Sequence, residues 1–165
     1  MQVPKLLAAF GLAWCGLALA QLPGDDPDWK ESEVPPPPVV DLARLVPFDV
    51  AARSEVRWGI DRASMAITKD GLVRYVVITQ GSGGAVQGSY DAIRCATGEY
   101  KTYARYNPST GWKAAEDPLW KRLFGARNSL YALALAQQGL CRGKAPAVSV
   151  QSALNSLASP DIPGR

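Results

Sequence analysis

Two pairs of carboxylates, two cysteines beyond the first twenty residues and one glycine-rich loop are the features of this sequence whose types could do chemistry. They have to be weighed against a residue that is missing, because the chain has no histidine. Histidine is the commonest general base near neutral pH and the commonest metal ligand. Its absence removes Ser-His-Asp and Cys-His catalysis, and a zinc site would have to be built from cysteines and carboxylates alone. Acid–base work by two carboxylates needs no histidine, so Asp61 with Asp70, or Asp91 with Glu99, are the pairs a hydrolase would use. Nothing in the sequence brings either pair to a cleft, and carboxylates beside turns are ordinary solvated surface. No catalytic residue, cofactor-binding residue or metal ligand is therefore assigned, and no cofactor is expected.

The loop GSGGAVQG, from Gly81 to Gly88, raises the question of a phosphate cradle. The dinucleotide fingerprint fails at its third glycine, where Val86 stands, and a strand follows in place of the helix whose N-terminus would hold the anion. A hairpin connection is the simpler reading. Tyrosines interleaved with Arg94, Lys101 and Arg105 could stack bases on an open sheet, but an exported protein rarely meets that task and no nucleic-acid partner is expected. Trp58, Tyr75 and Tyr103 are possible walls for a small apolar ligand, although aromatic residues on strands are far more often core.

These residues belong to a chain of 165 residues with a net charge of +3, one domain's length with termini to spare. Residues 1–20 carry a lysine near the start, an apolar run from Leu6 and the small-x-small site Ala18-Leu19-Ala20, the layout of a secretory signal cleaved between Ala20 and Gln21. As a helix the run reaches about 22 Å, short of a hydrocarbon core of roughly 30 Å, so no transmembrane span is expected in the mature chain. Cys15 follows Trp14 inside that run and is discarded with it. Residues 21–38 read as an acidic, proline-rich arm: DDPDWKESE holds five acids and one base, and Pro35 to Pro38 favour an extended polyproline II rod. The arm is expected to lead to the domain without joining its core.

Residues 39–145 are expected to form the domain, and 146–165 a short helix and tail. Pro47 keeps the lead-in extended. Val56, Trp58 and Ile60 alternate with polar or small neighbours, as do Met65 and Ile67, which is the pattern of half-buried strand. Asp70-Gly71 is hairpin chemistry, and Leu72 to Thr79, apolar on both parities, reads as a central strand. Tyr90 to Cys95 and Glu99 to Tyr106 pair around Ala96-Thr97-Gly98. Strict alternation then places Tyr100, Thr102, Ala104 and Tyr106 on one face, with Glu99, Lys101, Tyr103 and Arg105 on the other. Asp117-Pro118 reads as the start of a helix over Leu119 to Phe124. NSLYALALAQQ, residues 128–138, is a second helix capped by Gly139, and Val150, Ala153, Leu154 and Leu157 recur at helical spacing. The sum is an α+β domain, an antiparallel sheet of roughly four or five strands with C-terminal helices on one face.

With the signal removed, Cys95 and Cys141 are an even pair in an oxidising compartment. One ends a strand and the other follows a helix that should return to the same sheet. A disulfide between them is expected, contributing on the order of 4 kcal/mol in the chain-entropy account.

Over roughly Asp28 to Cys141 the chain resembles the cryptic neisserial protein family, the CNP1-like proteins: small exported betaproteobacterial proteins with no established activity. The resemblance rests on Asp28-Trp29-Lys30-Glu31, Pro47-Phe48, Ile60-Asp61 with Ser64, and Asp70-Gly71-Leu72-Val73-Arg74-Tyr75. It continues through Tyr90, Ile93-Arg94-Cys95, Glu99, Tyr103-Ala104, Trp112, Trp120 and Cys141. It departs at Asp91-Ala92, where the family more often has Glu-Gly, and at Leu140, where an aromatic is usual. It implies a periplasmic or envelope location and supplies no catalytic or binding residues. The expected function is that of a non-catalytic exported envelope protein, binding a protein or envelope component through its sheet and arm. The alternatives are a carrier for a small apolar ligand and a carboxylate-pair hydrolase. A deep apolar pocket would favour the carrier, and a polar cleft with two converging carboxyls the enzyme.

Overall fold

The computed structural model describes residues 26–50, 55–125 and 130–159. The expected signal sequence, Cys15 and the Ala20–Gln21 cleavage site lie outside the described residues. After a short 3-10 turn over Leu42–Arg44, whose Ala43 amide donates to the capping Asp41 side chain, six strands follow. They are β1 (Leu45–Phe48), β2 (Arg57–Ile67), β3 (Leu72–Gln80), β4 (Val86–Arg94), β5 (Glu99–Asn107) and β6 (Gly111–Ala114). They run as an antiparallel meander in chain order, and β7 (Lys121–Arg122) joins the remaining free edge of β5. The sheet thus has seven strands rather than the expected four or five. The additions are edge pieces of two to four residues, too short for a period-two pattern to register.

Turn chemistry sets the register. Gly71, at φ 82°, closes the β2–β3 hairpin with its amide on the Thr68 carbonyl. Gly88, inside β4, sits in a close approach: a Cβ there would stand 3.2 Å from the Val77 carbonyl oxygen and 3.3 Å from Tyr106 Cβ, and would displace the end of the Ile78 side chain. A bulge between Tyr90 and Asp91 corrects the expected face assignment of β5. Ala104 pairs with Tyr90 and Thr102 with Asp91, leaving Tyr103 as the extra residue. Tyr103 therefore stays on the same face as Ala104 and Tyr106, opposite Tyr100, as an inserted residue in a ladder requires.

Beyond the sheet come α1 (Leu130–Leu135), a π-type turn over Ala136–Leu140, the small hairpin β8 (Cys141–Arg142) and β9 (Ala145–Pro146), and α2 (Val150–Ala158), capped by the Ser149 hydroxyl. Ala132, Leu135, Leu140, Ala153 and Leu157 pack with Ile60, Val73, Tyr75, Val77, Ile93 and Tyr100 into the main core. The helix expected over Leu119 to Phe124 is absent: the segment is extended and Lys121 and Arg122 pair with Tyr100 and Glu99. A six-residue run ending at Gly125 gains little from a costly helix nucleus, while pairing fills a bare edge of β5 and buries Leu123.

The arm also departs from expectation. Val34 and Val40 pack with Val76, Ile78, Tyr90 and Ala104 on the sheet face opposite the helices. The first seven residues of β3 are buried in consequence. The sheet is therefore covered on both faces, by helices on one and by the arm on the other.

Candidate functional site

Among the described residues two carboxylates are buried, Asp61 and Asp91, and the sheet sets Asp91 among the helix-side core. Asp91 follows Tyr90 across the bulge, pairs with Tyr75 on β3 and Thr102 on β5, and is fully buried. Its Oδ2 accepts from the Ser89 hydroxyl at 2.9 Å and from the Tyr131 hydroxyl of α1 at 2.7 Å. Burial pushes the acid up to about 6, with the hydroxyls of Tyr131, Ser89 and Thr102 pulling the other way. Among the described residues Asp91 Oδ1 and the Tyr75 hydroxyl have no hydrogen-bond partner. Tyr131 stacks on Trp58 at 5.2 Å between ring centres and meets Tyr100 edge-on at 6.2 Å. Burial, then the Asp91 charge, raises the phenol of Tyr131 well above its ordinary value. An acid of this kind is a functional candidate on electrostatic grounds, but here it is enclosed.

The carboxylate pairs do not converge. Asp61 sits in the β2 ladder, almost fully buried, with the Arg44 guanidinium at 3.2 Å. Asp70 is in the hairpin turn, where its Oδ2 accepts the Ser32 amide at 2.7 Å. Burial opposes ionisation of Asp70, yet the bonds from Ser32 and Thr68 prevail and lower its pKa. Asp91 pairs with Thr102 inside the core, whereas Glu99 starts β5 opposite Arg94 and accepts the Thr97 hydroxyl at 2.7 Å. Trp58 and Tyr75 belong to the helix-side core and Tyr103 to the arm side, so the three aromatics do not wall one cavity. Of the glycine-rich stretch, Gly81 to Ala85 is a tight turn closed by the Gly81 amide on the Ala85 carbonyl and the Gly84 amide on the Gly81 carbonyl, and Val86 to Gly88 already belong to β4.

On the arm side the basic and aromatic residues of the sheet are engaged by the arm itself. The guanidinium of Arg74, buried in β3, donates to the carbonyls of Glu33 and Ser32 at 2.8 and 2.7 Å. Glu31 accepts from Lys101 at 2.8 Å and from the Tyr103 hydroxyl at 2.6 Å. Arg94 lies 3.8 Å over the Trp29 ring, which meets Trp120 edge-on, and the Trp29 indole donates to the Asp70 carbonyl at 2.8 Å. These contacts occupy Arg94 and Lys101 of the set considered above for base stacking, while Arg105, between Ala104 and Tyr106, lies on the opposite face, so the three cations do not share one surface.

What stays open lies at the end of the sheet. Cys95 and Cys141 are bonded, their α-carbons 5.7 Å apart, and they line a surface depression of about 620 Å³ with Leu123, Phe124, Leu133 and Ala136. A second, of about 370 Å³, adjoins it with Arg94, Glu99 and Arg122 on its walls. Sequence reading missed Tyr131, Arg74, Glu31 and this depression. The signals were an ionisable residue amid apolar β3 neighbours for Arg74, and Trp29 and Val34 in an otherwise polar arm.

Fold and site together define a small, mostly antiparallel sheet domain with short C-terminal helices, whose buried acids are bonded into its own scaffold. The CNP1-like family model matches residues 24–158, and the chain belongs to that family. No curated protein and no solved structure matches it. Among the described residues no helix is long and apolar enough to cross a membrane.

Proposed function

We propose that the chain is an exported, non-catalytic module of the cell envelope that acts by binding a protein or envelope component. The observation that carries this reading is the open depression beside the disulfide. It combines concavity with exposed apolar surface, Phe124 being 66 % exposed at its edge. Both sheet faces are covered, so the binding surface moves from the sheet and arm to this end of the domain. Asp61 and Asp91 are spent on Arg44 and on Tyr131 with Ser89, which supports a scaffold without a general acid and base. Export is supported by the apolar run of residues 6–20 with its Ala-Leu-Ala site and by a disulfide, which persists in oxidising compartments.

The test is crosslinking of the untagged protein in its own envelope fraction, followed by intact mass of the free chain. The reading expects a chain beginning at Gln21 and a discrete crosslinked product that unlabelled protein competes away. A chain retaining residues 1–20 contradicts the export half. Absence of any competed product contradicts the binding half.

A further inference from the structure

We infer that the outer side of the arm, from Glu33 to Val39, is a preformed polyproline II ligand for an aromatic-lined groove on a partner protein. The inner side of the arm is held against the sheet. Its outer side is a second surface, separate from the depression, and stands without it.

Consecutive prolines favour polyproline II, a rod with three residues per turn and no internal hydrogen bonds. The burial of the arm has that period. Glu31, Val34, Pro37 and Val40 are half-buried, while Ser32, Glu33, Pro35, Pro36 and Val39 are exposed. Pro38, whose carbonyl takes the Trp112 indole at 2.9 Å, is the one departure. The inner row is engaged by the sheet: Glu31 meets Lys101 and Tyr103, and Val34 and Val40 join the apolar cluster of Val76 and Tyr90. The outer rows therefore present Pro35, Pro36 and Val39, the last 84 % exposed, along a rod that spans about 28 Å between residues 31 and 40.

The backbone agrees. The carbonyls of Ser32 and Glu33 are taken by Arg74, that of Pro38 by Trp112 and that of Val39 by Arg44. Among the described residues the carbonyls between them, Val34 to Pro37, accept no hydrogen bond, and the prolines have no N–H to offer. Apolar rings beside free acceptors are what an aromatic groove reads, its flat side chains packing on the prolines while Trp or Tyr donors reach the carbonyls. Clamping at both ends removes an ordering cost that a free proline peptide would still carry. Glu33 lies on the same row as Pro36 and Val39 and, among the described residues, has no ion pair. A cation at that end of the groove completes the match, and the same acid sets the strip against an anionic lipid surface.

The probe is the peptide of residues 31–41, ESEVPPPPVVD, set against the intact chain carrying a photo-crosslinking side chain at Val39 and illuminated in its own envelope fraction. The inference expects a discrete protein adduct, mapped by fragment mass to a segment bearing Trp or Tyr. Excess peptide should suppress it about tenfold or more, and a peptide of the same composition with its prolines dispersed should not. The P35D/P36D variant, altered only at exposed positions, should lower the yield about tenfold at unchanged melting temperature, and E33K should lower it as well. No adduct suppressed by the peptide, equal suppression by the dispersed peptide, unchanged yield in the double variant, or an adduct with lipid overturns it. A competed adduct from position 124 with none from 39 removes this inference and leaves the depression as the binding surface. One from 39 with none from 124 does the reverse. With neither, both fall.

Discussion

Enclosing Asp91 under Tyr131 gives the fold a measurable dependence on pH. Its pKa is raised in the folded chain from 3.8 to about 6, so the folded state takes up a proton where the unfolded state has already lost it. The resulting stability is fully present below about pH 4 and is lost as pH rises through about 6. That difference is worth about 3 kcal/mol at most. Denaturant unfolding is expected to show a more stable protein at pH 5 than at pH 8. Asp91→Asn, which still accepts from Ser89 and Tyr131, should gain about 1 to 3 kcal/mol at pH 8 and flatten the profile. A profile unchanged by the substitution would contradict the assignment. Gly139 offers a steric counterpart: its φ is 140° and a Cβ would stand 2.5 Å from Ser156 Cβ. Gly139→Ala should therefore cost about 2 to 4 kcal/mol in the same assay. Asp91 was visible in the sequence as an acid, but not as a buried one, because the bulge that sets its surroundings depends on how β4 and β5 meet in space. Gly139 was legible as a cap, and its contact with α2 was not.

At the scale of elements, Arg74 decides how the arm is held. A guanidinium buried in a central strand has to find acceptors, and those it finds are carbonyls of Ser32 and Glu33. Arg74→Ala is expected to cost about 3 kcal/mol or more, since charge-assisted bonds are lost together with packing. It should also turn residues 28–34 into a site of rapid hydrogen exchange and limited proteolysis. An arm equally protected in the variant would refute the role given to Arg74. The long strands β3, β4 and β5, the hairpin at Asp70-Gly71 and the C-terminal helix were readable, because period and turn residues are local signals. The arm was misjudged because its prolines and acids suggest solvation, while its partners on the sheet lie 38 or more residues away along the chain. Leu119 to Phe124 was misjudged because capping residues favour a helix locally and a bare strand edge competes for the same residues. NSLYALALAQQ was legible as a core helix, and Tyr131 within it gave no sign that its hydroxyl would meet an acid.

For the molecule as a whole, the Cys95–Cys141 link ties the end of β4 to the start of β8 across 46 residues. Reduction, or Cys141→Ala with Cys95→Ala, is expected to remove about 4 kcal/mol, a large share of the roughly 5 to 15 kcal/mol that holds a domain of this kind. Denaturant midpoints with and without reductant measure it, and coincident midpoints would contradict it. The even cysteine pair made the link legible from sequence. The depression beside it was not, because Leu123, Leu133 and Ala136 come from segments whose arrangement is set by the pairing of β7 and the return of the helices. That depression is where the account places function. The most direct measurement is a photo-crosslinking side chain placed at Phe124 and, as a control, at exposed Ser109 in the β5–β6 turn, illuminated in the protein's own envelope fraction. The account predicts a discrete adduct from position 124 that excess unmodified chain competes away, and none from position 109. Equal labelling at the two positions, or no competed adduct at 124, would contradict it.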